Sequence, residues 1–117
     1  MEMETFQRRR YPRVNITLPV EYKSEGKTKR VLAKTVGEGG LMLNLTEHIP
    51  LEAKLNLNLF LPNMSQSSTA LYNLKAKGKV VWTQDEREEF YCGISFIEIA
   101  DNDRGILSAF ISKYREI

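Results

Sequence analysis

Arg8-Arg9-Arg10-Tyr11-Pro12-Arg13 places four guanidinium groups within six residues of chain. A guanidinium is planar and permanently charged. It forks two N–H bonds onto phosphate oxygens and stacks on flat π-systems such as a nucleobase. Pro12 biases Tyr11 toward extended geometry. In extended chain Arg9, Tyr11 and Arg13 point to one side and Arg8 and Arg10 to the other. Arg9 and Arg13 can therefore converge on one anionic ligand. The same composition also fits a solvated basic tail, or weak contact with nucleic acid or acidic lipid.

The second candidate is Gly37-Glu38-Gly39-Gly40, a backbone free to take φ > 0 at several positions. Its N–H groups can form an anion nest. It is not a dinucleotide fingerprint, because its spacing is wrong and no helical pattern follows. Gly26-Lys27-Thr28 ends like a P-loop, but Glu21 stands where that pattern requires glycine. Cys92, mid-strand between Tyr91 and Gly93, reads as a small packed hydrophobe. His48 lies in a loop near Pro50 with no evident partner. Asp85, Glu86, Glu88 and Glu89 read as a solvated hairpin, since catalytic carboxylates need a pocket that shifts their pKa.

Composition narrows the field further. A chain of 117 residues holds one compact core. The net charge of +2 leaves strong anion preference to local clustering. One cysteine and one histidine exclude an internal disulfide and a Cys/His zinc site. The polar, charged start has no apolar h-region, and no apolar run reaches the ~20 residues of a membrane span, so the expected location is the cytoplasm. The sequons at Asn15, Asn44 and Asn63 are then chance matches.

The elements that must position these groups show mostly two-residue periodicity. Ile16, Leu18, Val20 and Tyr22 alternate with polar neighbours, and Pro19 among them favours an edge or a bulge. Ser24-Glu25-Gly26-Lys27 reads as a turn and Arg30 to Val36 as a second strand. Leu41, Leu43 and Leu45 mark a third. Leu55, Leu57, Leu59 and Leu61 mark a fourth, a stripe that belongs in the core. Leu71 to Thr83 and Phe90 to Glu98 supply two more, with Trp82 in an apolar stretch that favours the core over the rim. Ile106, Leu107, Phe110, Ile111 and Tyr114 then share one helical face between Asp101 and Tyr114, with Asp101, Asn102 and Asp103 as cap candidates. The pattern predicts a mainly β, six-stranded antiparallel barrel with a C-terminal α-helix over an open end.

Arg9-x-x-x-Arg13 followed by Leu18-Pro19-Val20 resembles the opening of a PilZ domain. Gly39-Gly40-Leu41 resembles the end of that family's second motif. Gly78-Lys79-Val80-Val81-Trp82 and Tyr91-Cys92-Gly93-Ile94-Ser95-Phe96 resemble its late strands. The resemblance runs from about Arg8 to the terminal helix. It implies a PilZ-like split barrel over residues 14–117 and a flexible arm over residues 1–13. It also implies a bacterial signalling module with no covalent chemistry, whose ligand is cyclic di-GMP and which requires no cofactor. Arg9 and Arg13 would hold the phosphates and stack on guanine, with Arg8 able to favour two intercalated ligands. Arg10, Thr35, Gly37, Gly39, Gly40 and Trp82 complete the implied ligand site.

The second motif departs from the family pattern Asp/Asn-x-Ser-x-x-Gly. Thr35 stands at the Asp/Asn position and Gly37 at the Ser position; Gly40 is kept. Two lost polar contacts cost about 2–4 kcal/mol, or about 30- to 1,000-fold in affinity. Glu38 adds a negative charge that would hurt binding if it faced the ligand. Three functions follow in order. The first is a ligand-responsive module whose arm orders on cyclic di-GMP and exposes a surface for a protein effector. The second is a degenerate adaptor that works through protein contacts without the ligand. The third is a nonspecific nucleic-acid binder; no specific nucleic acid is expected.

Overall fold

The computed structural model describes residues 13–62 and 71–115. Six strands form in chain order: β1 (Arg13–Ser24), β2 (Lys27–Gly37), β3 (Gly40–Leu45), β4 (Lys54–Pro62), β5 (Leu71–Glu86) and β6 (Glu89–Ile99). One helix, α1 (Asp101–Arg115), follows. Every paired strand is antiparallel and the sheet closes on itself in the order β1-β2-β3-β6-β5-β4. The expected six-stranded barrel with a C-terminal helix is what forms.

The alternating leucines decide which way each strand faces. Leu55, Leu57, Leu59 and Leu61 of β4 are all buried, as are Leu41, Leu43 and Leu45 of β3 and Leu18, Val20 and Tyr22 of β1. Their neighbours point to solvent, because successive side chains of a strand face opposite ways. No polar or charged residue is buried among the described residues, so the interior is filled with hydrocarbon. Cys92 belongs to this core as a packed hydrophobe, and burial pushes its thiol up to about 11.

The turns follow local chemistry. Glu25 and Gly26 take φ of 52° and 81° between the paired Ser24 and Lys27, a two-residue hairpin with both central residues left-handed. Pro19 lies in β1 just before the ladder with β4 starts at Val20. Nearby, between Asn15 and Leu18, the β1–β2 register shifts. A bulge and a ladder end therefore meet at this proline, as its missing donor requires.

Helix α1 touches β1, β2 and β5 and buries Leu107, Phe110 and Ile111. Two side-chain bonds fix it over the barrel end where β2 stops and β5 begins. Ser108 Oγ donates to Glu38 Oε2 at 3.1 Å, and Tyr72 Oη donates to Asp103 Oδ1 at 2.6 Å. Asp103 Oδ2 also accepts from the Lys75 backbone N–H at 3.3 Å. Asp103, expected as a cap candidate, is thus spent on β5. The first helical bond instead runs from Arg104 N–H to Ala100 O at 2.8 Å, which makes Ala100 the residue before the helix.

At the opposite end the chain between β3 and β4 folds inward. Ile49 is buried, and Val80 exchanges backbone bonds with Glu52 and Ala53 at 2.9 Å each. Glu47 accepts from the Tyr22 phenol and the Lys29 ammonium, both at 3.1 Å. These bonds hold its carboxyl below its ordinary range. His48, expected without a partner, has Nδ1 3.5 Å from Asp85 Oδ2 of the β5–β6 hairpin. The fold brought that pair together across 37 positions of sequence, a contact that periodicity cannot show.

Candidate functional site

Arg13 opens β1 and pairs with Gly37, the last residue of β2. Val14 beside it is buried, so Arg13 and Asn15 take the opposite, outward parity. Asn15 pairs with Thr35, Thr35 with Met42, Met42 with Gly93, and Gly93 with Trp82. One transverse row of outward positions thus crosses five strands, β1-β2-β3-β6-β5. Thr35 and Trp82 are three inter-strand steps apart, a strip of roughly 14 Å. Thr35, Met42 and Trp82 are half-buried and Asn15 is exposed.

Trp82 corrects the core expectation. Val80 is fully buried, and simple alternation would send Trp82 inward after it. The β5–β6 register shifts between Val80 and Trp82, leaving Val81 as the extra residue. A bulge of one residue moves every following side chain to the other face. The indole accordingly leaves the core and lies on Gly93. A Cβ there would stand 2.0 Å from Trp82 Nε1. Gly93 therefore does what no other residue could: it offers bare backbone as a seat for the ring.

The glycine turn also differs from expectation. Positive φ among the described residues falls at Glu25, Gly26, Glu52 and Arg87, none of them within 37–40. Gly40 is needed for close approach instead. A Cβ there would meet Ile94 O at 1.9 Å, across the pair that joins Gly40 to Ser95. Gly39 O accepts from Phe96 N–H at 2.9 Å, which pins the turn to β6. Glu38 aims its carboxylate at Ser108 on α1, so its charge is held by the helix.

Of the sequence-predicted residues, Arg13, Thr35, Gly37, Gly39 and Gly40 gather at the β1–β2–β3 end of the row, and Trp82 closes its far end. Arg8, Arg9 and Arg10 lie outside the described residues. Sequence reading missed Asn15, Met42 and Ser95. Asn15 matters most: its amide stands directly across from Thr35, where the family pattern places a carboxylate or amide. Only strand register reveals that neighbour. Among the described residues no group of histidine, cysteine or acidic side chains could hold a metal ion, and no helix is long and apolar enough to cross a membrane.

Known proteins share this architecture. The PilZ domain profile matches residues 7–113. The inhibitor of motility MotI/DgrA of Bacillus subtilis superposes with a TM-score of 0.82 at 21% identity, over 94% of this chain and 52% of that one. The PilZ domain of YcgR from Escherichia coli, solved with c-di-GMP, gives 0.69 at 15% identity over 94% of both chains. PlzA of Borreliella burgdorferi, in complex with c-di-GMP, gives 0.60 at 12% identity, over 97% of this chain and 54% of that one. The chain thus spans about half the length of MotI/DgrA and of PlzA. No curated protein sequence matches it.

Proposed function

The chain belongs to the PilZ domain family, and from that premise we propose that it is a receptor domain for cyclic di-GMP that does no covalent chemistry. The observation that carries this reading is the convergence of Arg13, the glycine turn and Trp82 along one outward row. Arg13 supplies a permanent charge for a phosphate, and the half-buried indole offers a face to a purine. Asn15 offers the amide that Thr35 lacks. Glu38 is turned onto Ser108, which relieves the repulsion that its place in the turn would otherwise create. Arg13 belongs to β1 rather than to the expected arm of residues 1–13. On this reading the residues before it act as the arm: Arg9 joins Arg13 on the ligand, Arg8 and Arg10 flank it, and the ordered arm forms a surface for an effector.

Isothermal titration of cyclic di-GMP into the folded chain tests this. Micromolar binding is expected. Arg13→Ala should lower affinity about 10- to 100-fold, the worth of one charge-assisted contact. Absence of heat at high micromolar ligand, with protein shown to be folded, would sink the proposal. A second reading is a degenerate adaptor that acts through protein contacts alone. It is favoured by Thr35 and Gly37, which leave the second motif without its carboxylate and hydroxyl. Binding that Arg13→Ala removes would exclude it.

A further inference from the structure

The outward face of β4 and β5 carries a concentration of positive charge that the ligand site does not use. Lys75, Lys77 and Lys79 alternate along β5, and the register sets them opposite Asn58, Asn56 and Lys54 of β4. Lys23 of β1 stands beside Asn56. Five ammonium groups therefore share one patch of a chain whose net charge is +2. Successive lysines of the β5 row are roughly 7 Å apart. Lys54 directly opposes Lys79, a like-charge pairing that costs stability.

The charge is left largely uncompensated. Lys77 and Lys79 have loose ion pairs with Glu98 at 3.7 Å and Glu52 at 3.5 Å, and both carboxylates are 75% exposed. Lys23, Lys54 and Lys75 have no ion pair among the described residues. Two cations of β2 are neutralised more closely: Arg30 meets Glu21 at 2.6 Å and Lys29 meets Glu47 at 3.1 Å. Strand lysines often protect an exposed sheet edge from pairing with another chain. Lys77 and Lys79 lie where β5 is paired on both sides, so that role does not explain them.

We propose that the β4–β5 face is a docking surface for an acidic segment of a partner protein, with Lys75, Lys77 and Lys79 reading carboxylates at alternate positions of an extended chain. Three observations select this occupant. The period of the lysine row equals that of alternate side chains on an extended strand. A groove of about 580 Å³, lined by Asn56, Asn58, Lys75 and Lys77 and also by the carboxylates of Glu98 and Asp103, gives an extended segment a recess, with amides for its backbone. A single strand of nucleic acid would want open aromatic faces between the charges. Phe60, two residues along β4 from Asn58, already has the Arg30 guanidinium over it at 5.3 Å. A bilayer would meet a convex wall and could not enter the recess. The face owes nothing to nucleotide binding, and the test below is run without cyclic di-GMP.

The probe is a fluorescent peptide of alternating glutamate and threonine, about 12 residues long, titrated into the full chain by anisotropy. An oligothymidylate of equal charge and vesicles containing phosphatidylserine serve as competitors. Binding at low ionic strength is expected, weakening as screening shortens toward the ~3 Å Debye length of 1 M salt. The triple variant Lys75→Glu, Lys77→Glu, Lys79→Glu should lose at least about tenfold in affinity, the effect of two or more surface charge contacts. A reversal of equal charge elsewhere, Lys27→Glu, Lys113→Glu, Arg115→Glu, should lose much less. Circular dichroism confirms that each variant is folded, and the single variant Lys75→Glu repeats the test should the triple unfold. The proposal is overturned if the peptide does not bind, if both reversals weaken it equally, or if oligothymidylate or vesicles outcompete it.

Discussion

Adding one methyl group at Gly93 should move the only tryptophan of the chain. A Cβ at that position would lie 2.0 Å from Trp82 Nε1, 2.4 Å from Cε2 and 2.6 Å from Cδ1. Carbon atoms in contact prefer about 3.5–4.0 Å. The ring must therefore lift by roughly 1.5 Å or swing outward, and its half-exposed position gives it room to do so. The obstacle is a side chain rather than backbone, so the cost is that of modest overpacking, about 1–3 kcal/mol. For a domain of this size that is a fall in melting temperature of roughly 4–12 °C. Because Trp82 is the sole tryptophan, emission reports on it alone. Gly93→Ala should shift its maximum to the red as the indole meets water. On the ligand reading, cyclic di-GMP quenches this emission in the parent and binds the variant more weakly. A variant with parental melting temperature and emission would refute the outward placement of Trp82, and with it the transverse row.

Gly40→Ala should be far more damaging than Gly93→Ala, about 3 kcal/mol or more. Its Cβ would strike the Ile94 carbonyl at 1.9 Å, and backbone held between two strands cannot swing aside. Gly105→Ala should stabilise by about 0.5–1 kcal/mol in denaturant titration, since a Cβ there meets nothing within 4 Å at an exposed position of α1. Thr35→Asp should tighten cyclic di-GMP by about tenfold or more in calorimetry, by restoring the acceptor of the family's second motif. Burial, followed by the bond to Glu47, pushes the Tyr22 phenol up to about 12. The folded state thus holds that proton more tightly than the unfolded chain, whose phenol titrates near 10. The resulting stability is whole below about pH 10 and is lost as pH rises through about 12, and Tyr22→Phe should remove that step from the pH dependence of melting.

The barrel was legible because its strands keep strict alternation. Each leucine of Leu55, Leu57, Leu59 and Leu61 faces the core, as period two requires, and the helical face from Ile106 to Tyr114 packs as its spacing predicts. Legibility ended where alternation breaks. Val81 and Ile97, two exposed apolar residues, are the extra residues at the two register shifts between β5 and β6. Each looks like a core residue in the sequence. The first of them also reverses Trp82. Cross-strand neighbours were equally hidden. Asn15 and Thr35 are twenty positions apart, and nothing in either segment announces that they face one another. Asp103 read as a helix cap because the rule for caps is local, whereas its actual partners on β5 are set by where α1 docks.

The same packing that made the fold readable fixes where recognition can occur. Small barrels hold a ligand inside only when their interior is not filled by their own side chains. Here Leu18, Leu41, Leu43, Leu55, Leu59, Leu61, Leu74 and Ile94 are each within 1% of complete burial. Helix α1 covers one end of the barrel, and Ile49 enters the other. The proposed nucleotide site therefore lies on the wall, where strand alternation offers a side chain only at every second residue. Three devices enrich that wall around Arg13. The bulge at Val81 turns an indole outward. Gly93 lets it lie close against β6. Gly40 draws β3 close to β6, so that the turn from Gly37 to Gly40 sits at the head of the row. None of these residues strengthens the core. Val81 interrupts a ladder, and each glycine forgoes the side-chain packing a strand position could have provided. Their coincidence with Arg13 on one stretch of wall is the arrangement on which the proposed site for a flat, anionic ligand rests.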